Sequence, residues 1–109
     1  MGDLSVMWED SALKLLETRD RYTRNIIREE FGRHPEKDAI EIDPAESSFL
    51  TPVSNSRFSV IWRREGHRAV VRAVVPLPNL DKVKTLGGAG KKAYIDQVVA
   101  AASKGEINL

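Results

Sequence analysis

The order of hydrophobic patterns along this 109-residue chain predicts an α+β domain: a small, antiparallel-rich sheet with an N-terminal helix or helix hairpin and a C-terminal helix packed on it. Three observations carry this. Residues 57 to 77, "RFSVIWRREGHRAVVRAVVPL", hold two strand-like runs on either side of Gly66. Residues 9 to 35 carry a helical pattern that Gly32 and Pro35 close, and residues 91 to 105, "KKAYIDQVVAAASKG", carry a second. At this length the chain is expected to form one domain over residues 1 to 109.

Taken in order, "DLSVMW" (3 to 8) alternates Leu4, Val6 and Trp8 against Asp3, Ser5 and Met7, the period-two pattern of a half-buried strand. In residues 9 to 35, Leu13, Leu16, Ile26, Ile27 and Phe31 share an apolar stripe that "ETRDR" (17 to 21) interrupts, so a helix hairpin is favoured over one bent helix. "EKDAIEIDPAES" (36 to 47) reads as an acidic loop with one short strand around Ile40 and Ile42. "SFLTPVSNS" reads as a short strand that Pro52 pushes towards a sheet edge or a bulge. Arg57 to Glu65 and Arg68 to Pro76 form a hairpin whose tight turn needs a positive φ at Gly66. "PLPNLDKVKTLGGAG" (76 to 90) reads as a loop, followed by a helix with Tyr94, Ile95, Val98, Val99 and Ala102 on its apolar side.

Charge and composition narrow the function classes. The chain has no cysteine, which excludes disulfides and thiolate metal sites and fits a reducing compartment. Its apolar runs are only a few residues long, far short of the roughly 20 that span a bilayer, and acids stand in the first 30 residues. A cytoplasmic protein without a membrane segment or signal peptide is therefore expected. The net charge of +1 conceals an uneven division: residues 1 to 56 hold 7 Lys+Arg and 12 Asp+Glu, net −5, and residues 57 to 109 hold 10 and 4, net +6. A basic half of this kind suggests a face that meets an anionic partner, although ordinary surface charge explains it equally well.

In the predicted hairpin, Phe58, Val60 and Trp62 share one face with Ala69, Val71, Ala73 and Val75, and the opposite face carries Arg57, Arg63, Arg68 and Arg72. Guanidinium forks on adjacent strands suit phosphate; the alternative is a solvated outer face whose stems cover Ile61, Val70 and Val74. His34 and His67 have no acid or serine at relay spacing and read as surface residues. "TLGGAGKK" departs from a nucleotide-binding loop at Thr85 and Lys92, but a helix N-terminus with Lys91 and Lys92 can receive one phosphate of a longer ligand. Glu41, Asp43 and Glu46 read as a solvated loop, and neither a metal nor a cofactor is expected.

Three segments together resemble the RelE/ParE superfamily of bacterial toxins. Residues 4 to 31, "LSVMWEDSALKLLETRDRYTRNIIREEF", are similar to that family's first strand and helix hairpin. Residues 58 to 75, "FSVIWRREGHRAVVRAVV", resemble its central hairpin, and residues 90 to 99, "GKKAYIDQVV", its C-terminal segment. The resemblance implies a microbial-ribonuclease-like sheet, a small antitoxin as partner, and cleavage of mRNA on the ribosome. By position it implies Tyr94, Lys91, Lys92 and Arg63 as catalytic residues, with Arg57, Arg68, Arg72 and Lys84 binding RNA. Two departures stand beside it: Ser59 follows Phe58 where the family places an arginine, and "SFLTPVS" contains no cation. A ParE-like toxin that binds DNA gyrase without chemistry, or a non-toxic adaptor that binds an acidic protein, is the alternative.

Overall fold

The computed structural model describes residues 4–104. They form β1 (Ser5–Trp8), α1 (Asp10–Glu17), α2 (Arg21–Arg33), β2 (Ile40–Asp43), a turn of 3-10 helix (Pro44–Glu46), β3 (Ser48–Pro52), β4 (Phe58–Glu65), β5 (Arg68–Pro76), α3 (Leu80–Thr85) and α4 (Gly88–Ser103). The five strands make one sheet in the order β1-β5-β4-β3-β2. Strands β2 to β5 are an antiparallel meander, and β1 joins its far edge parallel to β5, Ser5 opposite Arg68 and Trp8 opposite Val71. The α+β class with an N-terminal helix hairpin and a C-terminal helix is as the sequence predicts.

Local chemistry explains most boundaries. The polar stretch after Leu16 is the break between α1 and α2, where Asp20 caps α2 by accepting from the Thr23 backbone N–H at 3.3 Å. The bond from the Thr23 hydroxyl, more than any other cause, holds the Asp20 carboxyl below the usual carboxylate range. Gly66 takes a φ of 62° at the first central position of the β4–β5 turn, as the two-residue loop requires.

Three boundaries differ from the sequence reading. Pro52 lies not on an edge strand but at the end of the interior strand β3, where β2 no longer pairs, its register stopping at Leu50. The segment read as a loop at 76 to 90 contains α3, capped by the Asn79 side chain accepting from the Lys82 N–H at 3.1 Å and anchored by buried Val83. A helix this short owes its existence to its cap and its packing rather than to propensity. The last helix starts at Gly88, three residues before Lys91, with the Lys91 N–H donating to the Gly87 carbonyl across its first turn despite the poor helix propensity of Gly88 and Gly90.

The larger correction concerns the two faces of the sheet. The sequence suggests one apolar face and one bearing arginine, but both are covered. On one side Ala12, Leu16, Ile27 and Phe31 of the helix hairpin pack with Phe58, Val60, Trp62, Ala69, Val71 and Val74. On the other, Ile42, Leu50, Ile61, Ala73 and Val75 pack with Val83 of α3 and Ile95 of α4.

A β-bulge lets β5 serve both cores. Ile61 pairs with Ala73 and Trp62 with Val71, so Arg72 is an extra residue with no partner on β4. The alternation therefore resets: Ala69 and Val71 face the first core before the bulge, and Ala73 and Val75 face the second after it. The carbonyl freed at Arg72 accepts the Ser11 hydroxyl at 3.0 Å, and the neighbouring Val71 carbonyl accepts the Glu9 N–H at 3.0 Å, so the start of α1 is tied to the irregular point of the sheet.

Trp62 is the largest fully buried side chain of the first core. It meets Phe31 edge-on with centroids 6.0 Å apart and stacks on Phe49 at 4.9 Å, while Phe31 meets Trp8 at 6.0 Å. Its indole N–H donates to Thr51 Oγ1 at 2.8 Å, and Thr51 donates in turn to the Pro35 carbonyl. Replacing Thr51 by Val keeps the volume but leaves the indole N–H and the Pro35 carbonyl unpaired in the core. Thr51→Val is expected to lower stability by about 2 kcal/mol in a urea titration, while Thr51→Ser, which keeps the oxygen, should recover most of that loss.

Candidate functional site

The second core does not close completely. Between the sheet and α4 lies a cleft of about 400 Å³ whose apolar base is Ile42, Ile61 and Ile95, with Arg63, Arg72, Lys92, Asp43, Glu46 and Asp96 around it. Each charged residue comes from a different local device. Arg63 follows Trp62 on β4, and Arg72 is the bulge residue of β5. Lys92 and Asp96 stand one helical turn apart on α4. Asp43 closes β2 just after a second register shift, between Glu41 and Asp43, and Glu46 sits on the 3-10 turn. Two sheet irregularities thus flank one cleft, a setting in which bulges commonly re-aim a side chain.

The charges are paired. Arg72 meets Asp96 at 3.5 Å, and Lys92 meets Asp43 at 3.4 Å while the other Asp43 oxygen caps the 3-10 turn through the Ala45 N–H. Arg63 is bonded to Glu65 and lies 3.6 Å from Glu9. The bond to Glu65 leads the causes that push the Arg63 guanidinium still further above its ordinary value, with the charges of Glu9 and Glu46 adding to it. Three cations therefore face three carboxylates around the cleft, and only Glu46 among them makes no ion pair among the described residues.

Of the residues that the sequence singles out, the fold gathers Arg63, Arg72 and Lys92 here and disperses the others. Tyr94, two residues from Lys92, lies towards α3: its hydroxyl accepts the Asn79 N–H at 3.3 Å, and the Lys82 ammonium stands 4.5 Å from its ring centroid. Lys91 donates to the Glu41 carbonyl at 3.3 Å, and its own N–H is committed to Gly87, so the lysines sit inside α4 rather than at its first N–H groups. Arg68 stays at the hairpin tip with Glu65 at 3.6 Å and the Met7 sulfur at 3.8 Å. Lys84 is exposed on α3, and Arg57 lies at the opposite end of β4 beside Tyr22. His34 and His67 are exposed, apart from one another, at the end of α2 and in the β4–β5 turn.

Asp43 and Glu46, which the sequence reading leaves as a solvated loop, and Asp96, which it does not single out, are cleft residues. The i, i+4 spacing of Lys92 and Asp96 is the one part of this set visible in sequence; the approach of Asp43 and Arg72 depends on the two irregular registers. Among the described residues no three His, Asp or Glu side chains gather into a possible metal cage.

Ser59, the position where the resemblance expects an arginine, is fully buried, opposite Val75 of the second core. Its hydroxyl has no hydrogen-bond partner, so a cation at this position would lie in apolar surroundings. Because an unpaired buried hydroxyl costs stability, Ser59→Ala is expected to raise the unfolding free energy by about 1 kcal/mol, and Ser59→Arg to lower it by several kcal/mol. Both are read from denaturation midpoints.

No protein-family model matches this chain and no curated protein matches it, so the reading of its function rests on the fold and the cleft.

Proposed function

We propose that this chain is a RelE/ParE-like toxin domain that inhibits growth by binding its target at the cleft beneath α4, without cutting RNA. The observation that supports this reading is the pairing of all three cleft cations with carboxylates. Phosphodiester cleavage builds negative charge in the transition state and gains most from cations that are aimed at it and not already neutralised. A charge-balanced rim around an apolar base suits a protein surface better, where buried apolar contact gives affinity and complementary charges fix the register. DNA gyrase is the target class that the resemblance suggests, and a small antitoxin is the partner that would cover the same cleft. Both place the protein in the cytoplasm. Among the described residues no helix is long and apolar enough to cross a membrane.

One observation favours a second reading. Among the described residues Glu46 lines the cleft without an ion pair, in a position to take a proton from a 2′-hydroxyl while Arg63, Arg72 and Lys92 hold the phosphate. In that case the chain is a ribonuclease whose base is Glu46, not Tyr94.

Induced expression in a bacterial host separates the two. Growth arrest with full-length transcripts, relieved by Arg63→Glu together with Arg72→Glu and unaffected by Glu46→Gln, is the expected result. Truncated transcripts that disappear with Glu46→Gln would overturn the binding reading in favour of cleavage. Harmless expression of the unaltered chain at high level would overturn both and leave an adaptor.

A further inference from the structure

Among the described residues, the arginines without an ion pair are not in the cleft. Apart from Arg57, they lie on the helix hairpin at the opposite side of the sheet, in the half of the chain whose net charge is −5. Arg21, Arg24 and Arg28 follow one another at helical spacing on α2 and line a groove against Leu13, Leu16 and Glu17 of α1. Among the described residues none of the three makes an ion pair. Glu17 is the one carboxylate that lines this groove, and Asp20, at the start of α2, is occupied in capping the helix through Thr23.

A second hollow adjoins the first turn of the same helix. Tyr22, Thr23 and Ile26 line it together with Asn55, Ser56, Arg57 and Phe58 from the β3–β4 connection. Tyr22 is 73% exposed, the most exposed large apolar side chain among the described residues. Arg57 has no ion pair there, and the Arg19 guanidinium lies 5.1 Å from the Phe58 ring centroid. Tyr22 thus stands in solvent on the flank of α2 away from the arginine groove, roughly 100° or more around the helix from Arg21, Arg24 and Arg28, with Arg57 in the same hollow.

We propose that the surface running from this groove over the first turn of α2 to the hollow on its other flank is a docking surface for single-stranded nucleic acid. Arg21, Arg24, Arg28 and Arg57 contact successive phosphates, and Tyr22 provides the ring on which a base stacks. The arginines of α2 span about 10 Å along the helix axis, a distance that a flexible strand can follow and that a short groove beside α1 can hold. A single strand fits better than a duplex, because only unpaired bases can offer a face to Tyr22. It also fits better than an acidic protein segment, which would use the guanidiniums and leave the exposed ring without a role. The proposal stands apart from the cleft reading, since it involves none of the cleft residues.

The test is fluorescence anisotropy of a labelled deoxythymidine oligonucleotide, which a ribonuclease cannot cut, titrated with the purified full-length chain over a salt series. With four phosphates neutralised, the logarithm of the association constant is expected to fall with the logarithm of salt at a slope of roughly −3. Arg21→Gln with Arg24→Gln and Arg28→Gln should reduce that slope to roughly −1. Tyr22→Ala should weaken binding roughly tenfold while leaving the slope unchanged, and Tyr22→Trp should restore it. Arg21, Tyr22 and Arg28 are exposed and Arg24 is half-buried, so unchanged circular dichroism is the control for folding. No binding at low salt, or a slope that the triple variant leaves unaltered, would overturn the proposal. So would tighter binding of the corresponding duplex, or polyglutamate binding as tightly as the oligonucleotide with no sensitivity to Tyr22→Ala, the latter assigning the face to an acidic protein.

Discussion

The bulge at Arg72 is the constraint on which the rest of the structure depends. A strand buried on both faces has no place for a charged side chain in regular alternation, and β5 is such a strand, with α1 and α2 on one side and α3 and α4 on the other. The extra residue releases Arg72 from the ladder so that it can reach Asp96 of α4. It also resets the alternation, which turns Ala73 and Val75 into the second core. In a regular strand the same residues would be sent to the wrong side of the sheet. The carbonyl that the bulge leaves unpaired is taken by Ser11, so the irregularity is also the point where the first helix is fixed to the sheet.

The cleft and its chemistry follow from this. The second core is built by Ile61, Ala73, Val75 and Ile95, and it ends where Arg63, Arg72 and Lys92 emerge. Exposed ion pairs of this kind contribute little to stability, typically less than about 1 kcal/mol each. What they do is orient: Arg72 is held towards α4 by Asp96, Lys92 towards β2 by Asp43 and Arg63 by Glu65 and Glu9, and the cleft presents balanced charge around an apolar base. Such an arrangement suits the binding function proposed, in which a partner matches shape and charge pattern together. The buried, unpaired hydroxyl of Ser59 points the same way, because the strand position that would carry a cation in the resembling family belongs here to the core.

Charge summed over halves of the chain hides where free charge lies. The C-terminal half is basic by count, yet Arg63, Arg64, Arg68, Arg72 and Lys92 all meet carboxylates. The N-terminal half is acidic by count, and its acids are partly spent on this pairing and on capping: Glu9 and Glu36 reach across to Arg63 and Arg64, and Asp20 caps α2. That division leaves Arg21, Arg24 and Arg28 without an ion pair among the described residues. Ion pairing between distant parts of the chain decides which arginines are available, and a running count cannot register it.

What the sequence determined by itself is local. The period-two alternation at 4 to 8, the strand–turn–strand order of 57 to 76, the polar break within 17 to 21, the demand for positive φ at Gly66 and the apolar side of α4 are all set by neighbours within a few residues, and each was legible. Tertiary structure decided the rest. Helix α3 forms because Val83 finds a core, and the face opposite Trp62 is buried because two helices return to cover it. The site depends on the same non-local terms. Arg72 meets Asp96 and Lys92 meets Asp43 only after two registers slip, and a slip of register changes hydrogen bonding between strands without leaving any period in the sequence.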